Sequence, residues 1–222
     1  MRILLLTAAL LAGCTANQAA NHLEIEIELP DHFPEPTVPA HNPLRAESIE
    51  LGRHLFYDTR LSGNKSISCS SCHKQEFSFA DQRALSLGAT NEEGRLNAPS
   101  LANVIYRAPM TWGHASIDDI EEQLLGPMFG EQPIEMAMSG AESQIVEELR
   151  SVKRYRDLFE DAYPGQEINL DNARLALASF VRSLVSANAP FDAFVQGQSD
   201  ALSQAAQRGV ELFYSDRLGC SA

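Results

Sequence analysis

Six consecutive residues hold the clearest chemistry in the chain: Ser68-Cys69-Ser70-Ser71-Cys72-His73. The pattern Cys-x-x-Cys-His is the attachment signature of a c-type haem. Two thiols three residues apart on one helical turn can both reach the vinyl groups of one porphyrin and form thioethers. The histidine that follows is then carried beneath the iron as its proximal ligand. Ser68 and Ser70 suit the start of a short helix, and Phe77 and Phe79 follow at a spacing that could wall a porphyrin. Two other readings compete. A redox Cys-x-x-Cys is expected beside a βαβ pattern, which is not visible here. A structural zinc site needs two more ligands at short spacing, and the next candidates, His114 and Cys220, lie far along the chain.

The elements that must position this motif read as helices. Ala46 to about Tyr57 forms an apolar face from Ile49, Leu51, Leu55 and Phe56, with Leu44 just before it. His54 reads as a helix-surface histidine. A turn-rich loop, Asp58 to Asn64, leads into the motif. Downstream, the patterns predict helices over Ile117–Leu125, with acidic first turns, over Ala141–Val152 and over Arg154–Ala162, which Tyr163-Pro164-Gly165 ends. The broadest apolar stripe runs over Asp171–Ala187, with Asn169 or Asp171 as cap and a break at Ala189-Pro190-Phe191. A last helix is expected over Ser199–Phe213. Only Leu23 to Leu29 alternates with period two, reading equally as one edge strand or as an acidic linker. The expected fold class is therefore all-α.

The 222 residues include 30 acidic against 17 basic side chains, a formal net charge of −13. That balance argues against nucleic acid and anionic membrane surfaces and favours a cationic redox partner. Residues 1–13 read as a signal peptide, with Arg2 ahead of a short apolar run from Ile3 to Leu11. Leu11-Ala12-Gly13-Cys14 resembles a lipoprotein lipobox, which implies export and a lipid on Cys14. Residues 14–43, with Pro30, Pro34, Pro36, Pro39 and Pro43, read as a tether. His22, His32 and His41 in it are given no role.

A wider set of segments gives the chain a resemblance. Leu51-Gly52-Arg53-His54-Leu55-Phe56-Tyr57-Asp58-Thr59-Arg60-Leu61-Ser62, the Cys69 to His73 motif, Phe79-Ala80-Asp81 and Asn97-Ala98-Pro99-Ser100-Leu101-Ala102-Asn103 resemble the bacterial di-haem cytochrome c peroxidase and MauG superfamily. Trp112, Gln123, Gly126-Pro127 and Pro133-Ile134-Glu135-Met136 extend the likeness. It implies a cytochrome c-type haem domain over residues 44–197. Arg208 to Gly219 echo the lead-in to the first motif, and Cys220-Ser221-Ala222 look like the first residues of a second one. Residues 198–222 are thus expected to begin a second, truncated haem domain, with Cys220 as half of its attachment.

The resemblance also implies site residues. Glu135 matches the family's distal-pocket glutamate, the proton carrier in peroxide cleavage. Gln123 and Pro127 match residues that shape the same pocket. Trp112 matches an indole that relays electrons between two haems. Asn97 matches a calcium ligand. In many relatives a distal histidine follows the motif by some sixteen residues. Here that stretch is Ser86-Leu87-Gly88-Ala89-Thr90, which implies a haem open without reductive activation. Met110, Met128, Met136 and Met138 are alternative ligands, but methionines in apolar contexts usually pack cores. The family's Trp-Asp-Gly-Arg is here Trp112-Gly113-His114-Ala115, and Phe129 to Gln132 are inserted before Pro133. Both departures resemble a methanobactin-associated branch that oxidises tryptophan in a partner protein. The expected partners are hydrogen peroxide, a small donor such as cytochrome c or a cupredoxin, and, for that branch, a protein substrate. A closed electron-transfer cytochrome and a haem-based sensor are the rival readings.

Overall fold

The computed structural model describes residues 24, 25, 27, 29–111 and 116–221. The signal peptide, Cys14, His22, Trp112 and His114 lie outside the described residues. Helices make up the fold: α1 (Ala46–Phe56), α2 (Cys69–Cys72), α3 (Ile120–Gln123), α4 (Leu125–Phe129), α5 (Glu142–Ser151), α6 (Lys153–Ala162), α7 (Leu170–Arg182), α8 (Pro190–Val195) and α9 (Gln204–Phe213). Among the described residues no strand forms, only isolated bridges such as Glu24 with Arg45. The fold class is all-α.

The core is the crossing of α1 on α7. Leu51, Leu55 and Phe56 meet Ala173, Ala176 and Leu177, all of them buried. Gly52 sits where the helices come closest. A Cβ there would overlap the Ala176 carbonyl, so only glycine lets the backbones approach this far. Asn169 caps α7 by accepting from the Asn172 amide at 2.8 Å. Phe180 of α7 lies edge-on to Phe56 at 5.1 Å, and Phe56 in turn to Phe79 at 6.0 Å. An aromatic column thus runs from the core to the loop that follows the Cys-His motif.

Helix α7 stops at Arg182, earlier than its apolar stripe predicts. Asn103, at a left-handed φ of 59°, captures the continuation. Its backbone amide donates to Leu184 O at 2.8 Å, its side-chain amide donates to Ser186 O at 2.9 Å, and its Oδ1 accepts from the Ser186 amide at 2.7 Å. The predicted 117–125 helix also divides. Asp119 caps α3 by accepting from the Glu122 amide at 2.6 Å, and α4 starts afresh after Leu124.

A buried ion pair fixes α3 to α7. Arg182 Nη2 donates to both Glu121 carboxylate oxygens at 2.8 and 2.7 Å, and Asn42 Nδ2 donates to Oε1 at 2.7 Å. Removing one partner would leave an unpaired buried charge, so the arrangement specifies where α3 must lie. Asn42 belongs to the proline-rich tether, which is therefore packed on the domain at this end. His32 lies 3.7 Å from Asp192 of α8, and Phe33 stacks edge-on to Tyr106 at 5.7 Å.

Candidate functional site

Ser68 is buried and extended, and its amide donates to the Ser71 hydroxyl at 3.0 Å, which starts the single turn of α2. Cys69 and Cys72 therefore sit one turn apart on one helix, and the His73 amide closes that turn on Cys69 O at 2.9 Å. Both thiols are free. Burial pushes Cys69 up to about 12 and raises Cys72 as well, so both stay protonated.

His73 is oriented by the backbone. Its Nδ1 lies 2.8 Å from Phe79 O. A carbonyl can only accept, so Nδ1 carries the proton and Nε2 keeps its lone pair. Burial lowers the His73 pKa, which holds the imidazole neutral. Phe79 has a φ of 60° and Ser78 one of 55°, two consecutive left-handed residues that aim this carbonyl back at the ring. Lys74 and Asp81 close the same turn at 3.0 Å, and Asp81 also accepts from Ser86 Oγ at 2.7 Å.

This donor set suits a c-type haem. It offers two unpaired protonated thiols one turn apart and a neutral imidazole with Nε2 free for iron. It does not complete a zinc site: among the described residues no group of three or more metal-binding side chains forms.

Glu135 is placed beside the motif. Its charge bears on both Cys69 and Cys72. The residue is exposed, yet partial desolvation of its carboxylate by the surrounding chain raises its pKa. Met136 and Met138, on either side of Ala137, point inward and are buried in the core, and Met128 joins them. These three methionines pack as core residues, and Met110 packs partly buried against them. Pro127 O accepts from the Met136 amide at 3.0 Å, which brings Pro127 to the Glu135 segment. Gln123 ends α3, half-buried, two residues ahead of α4.

The other expected residues lie apart from this cluster. His54 Nε2 lies 2.6 Å from Arg154 Nη2 and 3.0 Å from Glu50 Oε1, in a surface network on α1. Asn97 is exposed, and its side-chain amide donates to Arg83 O at 2.7 Å, a turn contact. Cys220 is exposed after α9. What sequence reasoning missed is the support of Glu135: the loops at Gly63 and Gly88 press against residues 134–137. The glycines themselves were the available signal.

Residues 46–200 match the family model described as di-haem cytochrome c peroxidase. The chain belongs to the di-haem cytochrome c peroxidase and MauG family. Haem c is the cofactor this family implies, and its peroxidases are oxidoreductases. The methylamine utilization protein MauG of Methylophilus methylotrophus is 32% identical over 95% of this chain and 61% of its own length. Cytochrome c551 peroxidase of Pseudomonas aeruginosa is 34% identical over 81% of this chain and 51% of its own. A crystal structure of a MauG-like protein associated with microbial copper homeostasis superposes with a TM-score of 0.82 at 39% identity, over 86% of this chain and 55% of that one. The chain thus spans about half the length of the relatives it matches.

Proposed function

We propose that this chain is the peroxide-binding haem portion of a di-haem c-type peroxidase. Cys69 and Cys72 would hold the porphyrin covalently and His73 Nε2 would ligate its iron. Bound there, the haem would supply the redox-active centre for reducing hydrogen peroxide to two waters with two electrons and two protons. Glu135 works on the other reactant, the proton. Its raised pKa suits it to take a proton from one peroxide oxygen and return it to the other near neutral pH. The observation that supports this role is that the carboxylate lies close enough to bear on both haem-attaching thiols. Gln123 and Pro127 shape the space beside it. Trp112 is the expected relay for electrons from a second haem, whose first attachment thiol is Cys220. Asn97 as a calcium ligand, export to the periplasm and a lipid on Cys14 belong to the same proposal. Among the described residues no helix is long and apolar enough to cross a membrane. The donor is a small redox protein such as cytochrome c or a cupredoxin.

The test is Glu135→Gln in the haem-loaded chain. Peroxide turnover should fall about 10²- to 10⁴-fold with the ferric optical spectrum unchanged. Turnover equal to wild type would remove Glu135 from the mechanism.

A second reading has its own support. The departures at residues 112–115 and 129–132 resemble a branch that uses peroxide to oxidise tryptophan in a partner protein, and the chain is 39% identical to a MauG-like protein associated with microbial copper homeostasis. Conversion of a co-purified protein by peroxide, without consumption of reduced cytochrome c, would select it.

A further inference from the structure

The backbone around Glu135 is pinned at successive peptides by three separate segments. On its carbonyl side, Glu135 O accepts from the Ala89 amide at 2.7 Å and Met136 O from the Gly63 amide at 2.9 Å. On its amide side, Ile134 N donates to Glu92 at 3.3 Å, Met136 N to Pro127 O at 3.0 Å and Met138 N to Met128 O at 3.1 Å. Both glycines are needed for this fit. A Cβ on Gly88 would overlap the Ile134 carbonyl, and one on Gly63 the Ala137 carbonyl. Either would have to displace main chain rather than a flexible side-chain end.

The loop that carries Gly88 is itself closed. Gly88 N donates to Glu92 O at 2.9 Å, Gly94 N to Ser86 O at 2.9 Å, and Leu87 bridges Glu93. Asn64 Nδ2 donates to Ala89 O at 2.7 Å, which ties the two glycine loops together. Ala137 holds a left-handed φ of 53°, a conformation non-glycine residues adopt only when their surroundings impose it. Met136 and Met138 are anchored in the core while Glu135, just ahead of them, is exposed. The Cys69 and Cys72 thiols feel the charge of this carboxylate, and Glu92 accepts from the Ile134 amide behind it.

We propose that Gly63 and Gly88, with Ala89 and Asn64, form a two-sided main-chain bracket that positions Glu135 for its proton transfer. These are positioning residues: they act through the main chain at residues 134–137. The inference rests on the reading of Glu135 as proton carrier, and it adds that the loop at Ser86–Thr90 is a fixed strut. A carboxylate displaced by about 1 Å would still titrate but would meet the peroxide out of line, at a loss of up to about 10²-fold.

Two measurements on the haem-loaded chain test it. The first is hydrogen exchange at the Ala89 amide, which should run about 100-fold slower than in an unstructured peptide. Exchange at the unstructured rate overturns the bracket whatever Glu135 does. The second is Gly88→Val. It should lower kcat about 10-fold or more, move the acid limb of the pH profile and leave KM for the electron donor and the ferric spectrum as in wild type. An unchanged kcat and pH profile in a haem-loaded Gly88→Val protein overturns the inference. Should that variant fail to take up haem, Asn64→Ala serves instead. It cuts only the side-chain tie, and it should speed Ala89 exchange and lower kcat in parallel; no change in either overturns the proposal. If Glu135→Gln matches wild type while Ala89 stays protected, the proton-carrier role is what has failed, and the positioning role falls with it.

Discussion

Two stretches of the chain carry nearly the same run of residues. In the first, Gly52, Leu55, Phe56, Arg60 and Leu61 lead to the haem motif. In the second, Gly209, Leu212, Phe213, Arg217 and Leu218 hold the corresponding places. Both form a helix followed by a turn. Leu55 is 0% and Phe56 1% exposed, whereas Leu212 is 42% and Phe213 48% exposed. Gly52 receives the backbone of α7, while a Cβ on Gly209 would meet nothing within 4 Å. A local pattern and a good cap, here Ser203 accepting from the Ala206 amide at 3.2 Å, are enough to write a helix. Depth of burial is decided by what crosses it.

That contrast can be broken experimentally. The largest expected effect comes from Leu55→Ala, which should destabilise the haem-loaded chain by about 2–5 kcal/mol. Leu212→Ala should stay within about 0.5 kcal/mol. Denaturant melts decide, and equal losses would mean that α9 is packed in solution. Next is the glycine pair. Gly52→Ala should destabilise by about 1–3 kcal/mol through overpacking. Gly209→Ala should stabilise by up to about 1 kcal/mol, the difference in helix propensity. A loss at both positions would erase the distinction. The smallest effect concerns the polar lock that follows the first stretch. Desolvation tends to raise Asp81, but hydrogen bonds from Ser86 and Lys74 prevail and hold it at about 2, below its ordinary 3.8. Its folded pKa is the lower one, so its contribution is complete above the unfolded value and is lost as pH falls toward 2. Melts between pH 5 and 2 should show Asp81→Asn with a shallower acid loss than wild type; identical slopes would exclude the lock.

Much of the site was legible because its signals are local. The Cys-x-x-Cys-His spacing, the Ser68 start and the Asn169 cap each depend on residues within a turn of one another. The apolar stripes placed α1, α5, α6 and α7 closely. The misses have long-range or positional causes. The end of α7 depends on Asn103, some eighty residues earlier. Helix α8 was read as a break because Ala189-Pro190 interrupts the stripe, yet proline is well suited to the first turn of a helix. The grip on Glu135 is made by backbone groups, which leave no side-chain pattern beyond the glycines that permit it. Of the alternating Leu23 to Leu29 run, the described residues show an isolated bridge of Glu24 with Arg45 rather than a strand.

The left-handed Phe79 has one further consequence. A bulky residue at a φ of 60° sits in an unfavourable backbone state by roughly 1–3 kcal/mol. Glycine there would relieve it, and a selection for thermal robustness alone would favour that exchange. It would also slacken the carbonyl that accepts the hydrogen bond from His73 Nδ1 and fixes the orientation of that ring. If His73 ligates iron as proposed, evolution toward a sturdier chain and evolution toward a tuned ligand pull in opposite directions at this one residue.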